Sequence, residues 1–171
     1  EQIIVKSHLE AALKSGKKLR VKFGIDPTGP RIHLGRAIPI WKLRKFQELG
    51  HKIVLIIGGF TAQIGDPSDK LAKRPFLSKK QVKENMKNYK KQLGMILDLD
   101  KVEFHNNNEW LSKLSSAELT RLAEIFSVQQ MLARRNFKER FKKDEEIEIR
   151  EMLYPLFQGY DSVRVRADVE V

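Results

Sequence analysis

The sequence predicts an α/β fold built on a parallel sheet, and three observations carry the prediction. LRVKFGI, residues 19 to 25, alternates apolar and polar side chains as a half-buried strand does. KIVLIIGG, further on, is an unbroken β-branched run, which suits a strand buried on both faces of a parallel sheet. A helical stretch separates them, so strand, helix and strand follow one another in about 40 residues, the span of a right-handed crossover unit.

Each element follows in order. Val5, Leu9, Ala12 and Leu13 recur at helical spacing, with Gly16 placed to end that helix. In the first strand Val21, Phe23 and Ile25 share a side. Leu34, Ile38, Trp41, Phe46 and Leu49 are then expected to form the stripe by which a helix packs on the sheet, with Gly50 as its cap. After the apolar strand, Ser78 with Gln81 makes a capping box ahead of Val82, Met86, Tyr89, Leu93 and Ile96. KVEFHNN reads as a third strand, and Ser115 with Glu118 as a second capping box opening a helical stretch to about residue 142. A last helix around 147–163 leads into VRVRADVEV, read as another strand. Pro155 inside that helix predicts a start near Tyr154 or a kink there.

Composition limits the functions open to such a fold. With 171 residues, 41% of them apolar and 32% charged, the chain suits one globular domain with a real core. No apolar run approaches the ~20 residues of a membrane span, so no membrane association and a cytoplasmic location are expected. The absence of cysteine excludes disulfides and thiolate zinc sites, and four histidines without ligand spacing argue against a protein-built metal site. A formal charge of +11 suits a protein that meets RNA, yet lysine-rich stretches such as LSKKQVKENMKNYKKQ serve equally as solvated helix faces. The chain opens on Glu1 and closes on Val171 within an expected strand, so it is expected to be a piece of something longer.

DPTGPRIHLGRA, residues 26 to 37, is the least generic stretch. It joins a strand to a helix, where a parallel sheet binds ligands and a helix presents free N–H groups and its positive dipole end to phosphate. Neither the P-loop pattern nor G-x-G-x-x-G is present: Ala11 stands where the first glycine before Gly16-Lys17 would be. Thr28 offers a hydroxyl and His33 an imidazole, while Gly35 lets a flat base or ribose approach the backbone. Near the other end, Tyr154, Gln158 and Asp161 are spaced i, i+4 and i+7. They share one helix face among apolar Met152, Leu153, Leu156, Phe157 and Val163. Such a stripe either receives a polar guest or satisfies itself within the core.

His-Leu-Gly-Arg, preceded by Asp-Pro-Thr-Gly, resembles the His-Ile-Gly-His signature of class I aminoacyl-tRNA synthetases. GGFTAQIGDPSDKLAKRP, NEW and YPLFQGYDSV are similar, in matching order, to stretches of bacterial tyrosyl-tRNA synthetases, and the resemblance runs from about residue 19 to the end. It implies a partial Rossmann-like, doubly wound parallel sheet with helices on both faces, residues 1–171 being the N-terminal part of a catalytic domain. The activity implied is formation of tyrosyl-adenylate from L-tyrosine and ATP, then transfer to tRNA(Tyr), by a homodimer. Mg²⁺ would accompany the ATP, with no metal site built by the protein.

By resemblance, ATP meets Gly24, Asp26, Thr28, His33, Gly35 and Arg36. Thr28, His33, Arg36, Lys70 and Arg74 stabilise charge on the phosphates, the last two near the departing pyrophosphate. Asp161 accepts the substrate phenol, and Asp66, Tyr154 and Gln158 hold its ammonium group. A site built around a hydroxyl rejects the analogue lacking it by ~10⁴–10⁵, a ratio already established for tyrosyl-tRNA synthetases as a class. Two positions depart from the pattern: Arg36 replaces the second signature histidine, and Lys22 stands where some relatives carry a tyrosine that contacts the substrate hydroxyl. A Gly-Gly-x-Asp-Gln strand end, a Lys-Met-Ser-Lys-Ser loop and an anticodon-binding domain would follow Val171 in the family. A tryptophanyl-type domain and a nucleotide- or RNA-binding module without chemistry are the alternatives.

Overall fold

The computed structural model describes residues 3–65 and 77–171. Its centre is a four-stranded sheet in the order β3-β2-β1-β4, formed by β1 (Arg20–Ile25), β2 (Lys52–Ile57), β3 (Val102–Asn106) and β4 (Val169–Glu170). Every pairing is parallel, with Val21 opposite Ile53 and Ile53 opposite Val102. Around it run α1 (Lys6–Lys14), α2 (Leu34–Glu48), α3 (Thr61–Ile64), α4 (Lys79–Met86) and α5 (Tyr89–Leu93). Then come α6 (Asn108–Leu111), α7 (Ser116–Ala123), α8 (Val128–Leu132), α9 (Arg135–Lys142) and α10 (Ile149–Arg164).

Strand periodicity decides which helices cover which face. Val21, Phe23 and Ile25 of β1 join Ile53, Leu55 and Ile57 of β2 in one core, closed by Ile40 and Leu43 of α2 and by Tyr89 and Leu93 of α5. Val54 and Ile56 point the other way, against Trp110 and Leu111 of α6 and Phe157 of α10. The expected double burial of β2 is therefore present, with helices on both faces. On its second face β1 carries Lys22 and Gly24, so polar groups occupy the ground between β1 and α10.

Three sequence expectations need correction. Leu34, Ile38, Trp41 and Leu49 do not face the sheet; Leu34 is 86% exposed and Ile38 68%. The inward stripe of α2 is Ile40 and Leu43, with Phe46 packed beside it. Ile38 and Ile40 stand ~200° apart around a helix, so two apolar stripes competed and spacing alone did not choose between them. The expected single helices break into shorter ones: 82–96 into α4 and α5, and 116–142 into α7, α8 and α9, the second of these opened by a further Ser127–Gln130 capping box. The strand expected over 163–171 shrinks to Val169–Glu170. Residues 163 and 164 still belong to α10, and Arg166 turns the chain at φ 50° before Asp168 N–H meets Arg20 O. Pro155 lies inside α10, which starts at Ile149, well ahead of Tyr154.

This order places the site. The chain winds outward from β1 to β2 to β3, then returns through α10 to lay β4 on the other side of β1. The crevice beyond the carboxyl ends of β1 and β4 is the point where the winding reverses, where open parallel sheets bind ligands.

Candidate active site

A cavity of about 320 Å³ lies at that reversal. Its floor is the polar edge of β1 from Lys22 to Asp26, its walls Gly58 and Thr61 after β2, Asn107 after β3, Tyr154, Gln158 and Asp161 on α10, and Glu170 of β4. Arg134, just ahead of α9, and Asn136, in its first turn, also line it.

A continuous hydrogen-bond network lies beneath it. Buried Asp26 accepts from the Thr61 hydroxyl at 2.7 Å through one oxygen and from the Tyr154 hydroxyl at 2.9 Å through the other. Asn107 Nδ2 donates to Thr61 Oγ1 and to Asp161 Oδ2, both at 3.0 Å, while its Oδ1 accepts from Phe60 N–H. Trp110 Nε1 donates to Asp161 Oδ1 at 2.7 Å. Gly58 makes this possible: a Cβ there would stand 1.7 Å from Asp26 Oδ1 and 2.4 Å from Thr61 Oγ1. Fixed partners on both oxygens hold the Asp161 carboxylate rigidly, and the remaining lone pairs suit a guest that brings a hydroxyl proton. Burial pushes the Asp161 carboxyl above the ordinary range, and the donors from Asn107 and Trp110, with the Lys22 cation, pull it back.

The predicted amino-acid residues Tyr154, Gln158 and Asp161 thus come together, as do Gly24 and Asp26 of the predicted nucleotide group. Asp26 faces inward, where it orients Tyr154: a phenol that gives its proton to a carboxylate is an acceptor toward any other neighbour. Thr28, in the turn after β1, and His33, Gly35 and Arg36, at the entry to α2, sit outside the cavity lining. Arg36 is tied to the site by Nη1, which donates to Asp26 O at 2.8 Å. His33 is the residue ahead of α2, with no side-chain cap, and its exposed imidazole lies 3.0 Å from where a Cβ on Gly35 would be. The room that Gly35 makes is therefore taken up, at least in part, by His33. Asp66, Lys70 and Arg74 lie outside the described residues.

Sequence reading missed Thr61, Asn107, Trp110, Arg134, Asn136 and Glu170. The available signal was positional: Thr61, Asn107 and Glu170 all lie at or just past the carboxyl end of a strand. Among the described residues no group of three His, Asp or Glu is arranged to hold a metal ion.

Sheet order, the cavity at the reversal and the His-Leu-Gly-Arg turn ahead of α2 together define a Rossmann-like domain of the class I aminoacyl-tRNA synthetase type. The family model described as tRNA synthetases class I (W and Y) matches residues 14–171, and the chain belongs to that family. Curated relatives named tyrosine–tRNA ligase, from Carboxydothermus hydrogenoformans and Aromatoleum aromaticum, are each 48% identical over all 171 residues. The chain spans only 41% and 43% of their length. Among solved structures, a C-terminally truncated mitochondrial tyrosyl-tRNA synthetase from Coccidioides posadasii is 27% identical with a TM-score of 0.74, over 94% of this chain and 46% of that one. A tyrosyl-tRNA synthetase from Archaeoglobus fulgidus complexed with L-tyrosine shares the fold at 22% identity, with a TM-score of 0.77 over 99% of this chain and 50% of that one.

Proposed function

We propose that this chain is the amino-acid- and nucleotide-binding part of a tyrosine–tRNA ligase, and that its cavity holds L-tyrosine with the phenol toward Asp161. One observation carries the reading: a buried carboxylate, held by Trp110 and Asn107, ends a cavity that Tyr154 and Gln158 flank on the same helix. The high identity to proteins named tyrosine–tRNA ligase supports tyrosine over tryptophan within a family that covers both.

In the reaction proposed, a tyrosine carboxylate oxygen attacks the α-phosphorus of ATP, and the bond from that phosphorus to the bridging oxygen breaks, so that tyrosyl-adenylate forms and pyrophosphate leaves. A ribose hydroxyl at the tRNA terminus then attacks the adenylate carbonyl and AMP departs. The first step requires no general base, since an α-carboxylate of pKa ~3.5 is ionised at pH 7. What remains is alignment and charge stabilisation. Thr28 in the turn after β1, His33 ahead of α2 and Arg36 in its first turn are proposed to meet the nucleotide's phosphates, and Lys70 and Arg74 to meet the departing pyrophosphate. Asp66 is proposed to join Tyr154 and Gln158 at the ammonium group. Mg²⁺ is proposed to arrive with ATP, shielding its phosphates.

A homodimer in the cytoplasm, acting on tRNA(Tyr), completes the proposal. Ile125, Phe126, Val128, Phe141 and Ile149, all exposed between α7 and α10, supply apolar area for a second copy, and the net charge of +11 favours tRNA. No helix among the described residues is long and apolar enough to cross a membrane.

ATP–pyrophosphate exchange tests the reading. At its natural length the protein is expected to exchange with tyrosine and not with tryptophan or phenylalanine; exchange indifferent to tyrosine sinks it. Residues 1–171 alone are expected to exchange poorly, because the relatives carry more than half of their length beyond the matched part. Light scattering checks the dimer.

A further inference from the structure

Glu170 stands opposite Lys22 in the register of β4 on β1. Its Oε1 accepts from Lys22 Nζ at 2.8 Å and from Gln158 Nε2 at 2.7 Å, and its Oε2 accepts from the Ser162 hydroxyl at 2.8 Å. All but Ser162 line the cavity. One carboxylate at the edge of the sheet therefore organises two residues that line the cavity.

Both consequences follow from donor and acceptor counting. An ionised carboxylate can only accept, so the atom that Gln158 turns toward Glu170 has to be its amide nitrogen. Its Oε1 then faces elsewhere, as an acceptor for a cation. The Lys22 side chain is 1% exposed, which makes an ammonium group there untenable without a counter-charge. Of its three N–H bonds, one goes to Glu170 and one to Gln158 O at 3.2 Å. The third has no acceptor among the described residues, in a cavity that also holds Asp161.

We propose that Glu170 is the positioning residue for amino-acid recognition: it fixes the Gln158 amide as an acceptor for the substrate ammonium and holds Lys22 with an N–H toward the phenolic oxygen. The phenol then gives its proton to Asp161 and accepts from Lys22. Glu170 touches neither end of the substrate itself. The inference rests on the tyrosine reading above and deepens it.

The test uses the protein at its natural length and initial rates of ATP–pyrophosphate exchange with tyrosine and ATP varied separately. Glu170→Gln keeps the size but offers N–H donors to the same neighbours, so Gln158 is released to turn over and Lys22 loses its counter-charge. The expected result is a KM for tyrosine raised roughly tenfold or more, with the KM for ATP within about twofold, and partial rescue by Glu170→Asp. The double variant Lys22→Met/Glu170→Gln removes the buried cation together with its part-exposed counter-charge; it is expected to fold and still to show the raised tyrosine KM. An unmoved tyrosine KM in Glu170→Gln, or an equal rise for tyrosine and ATP with a fallen Tm, overturns the inference while leaving the function intact. Absence of tyrosine-dependent exchange in the unmutated protein overturns both.

Discussion

The two faces of β1 are built from alternate residues of one short segment, and they do opposite work. Val21, Phe23 and Ile25 close an apolar core with Ile40 and Leu43, where shape and volume decide the outcome. Lys22, Gly24 and, just past the strand, Asp26 open onto a cavity whose value lies in which atoms donate and which accept. Among the described residues no fully buried side-chain nitrogen or oxygen lacks a partner, so the polar face is as fully specified as the apolar one, in another currency. A strand stabilised on one side can carry buried charge on the other.

That contrast predicts which measurements each face should move. The largest effect belongs to the polar side: Asp161→Asn is expected to lower kcat/KM for tyrosine by ~10³-fold, about 4 kcal/mol, and to shrink the preference over phenylalanine. Steady-state exchange with both amino acids checks it, and an intact preference would break the comparison. Next, Leu43→Ala on the apolar side is expected to cost ~2–5 kcal/mol in denaturant unfolding, with the tyrosine KM of the folded protein unchanged. His33→Ala, at the exposed start of α2, is expected to reduce kcat by ~10–100-fold and to leave stability and the tyrosine KM alone. A rise in tyrosine KM instead would move His33 into the amino-acid pocket.

The smallest effect separates polar residues that support the fold from polar residues that read a guest. Glu103 of β3 accepts from Arg20 at 2.7 and 3.0 Å, and this pairing, helped by His105, holds its carboxyl down to about 2 against an ordinary 4.5. A lowered folded pKa means the contribution is complete above the ordinary value and fades as pH falls from about 4.5 toward 2. The pair is partly exposed, so Glu103→Gln is expected to cost at most ~1 kcal/mol at pH 7. The two proteins should converge in urea melts toward pH 2, and tyrosine exchange at pH 7 should not change.

How legible was this beforehand? The alternation of β1, the double burial of β2 and two of the capping boxes were readable because each is local, fixed by spacings of two, three or four residues. The facing of α2 was not, since Leu34, Ile38 and Trp41 recur as regularly as Ile40 and Leu43, and only the sheet beneath chooses. The grouping of Tyr154, Gln158 and Asp161 was legible from one helix. Their partners Thr61, Asn107, Trp110 and Glu170 come from separate elements, so no local pattern links them. The turn at 26–37 pointed to a ligand but not to the inward role of Asp26, which needed Thr61 and Tyr154 to be seen beside it.

One arrangement reaches beyond binding. Lys22 and Glu170 meet across neighbouring strands yet lie 148 residues apart in the chain, and the register of β4 on β1 is two pairs long, Val21 with Val169 and Lys22 with Glu170. On the ribosome the early strands can therefore assemble long before the last wall of the pocket has left the exit tunnel. The tyrosine site proposed above is therefore expected to be incomplete in a nascent chain until that late stretch docks.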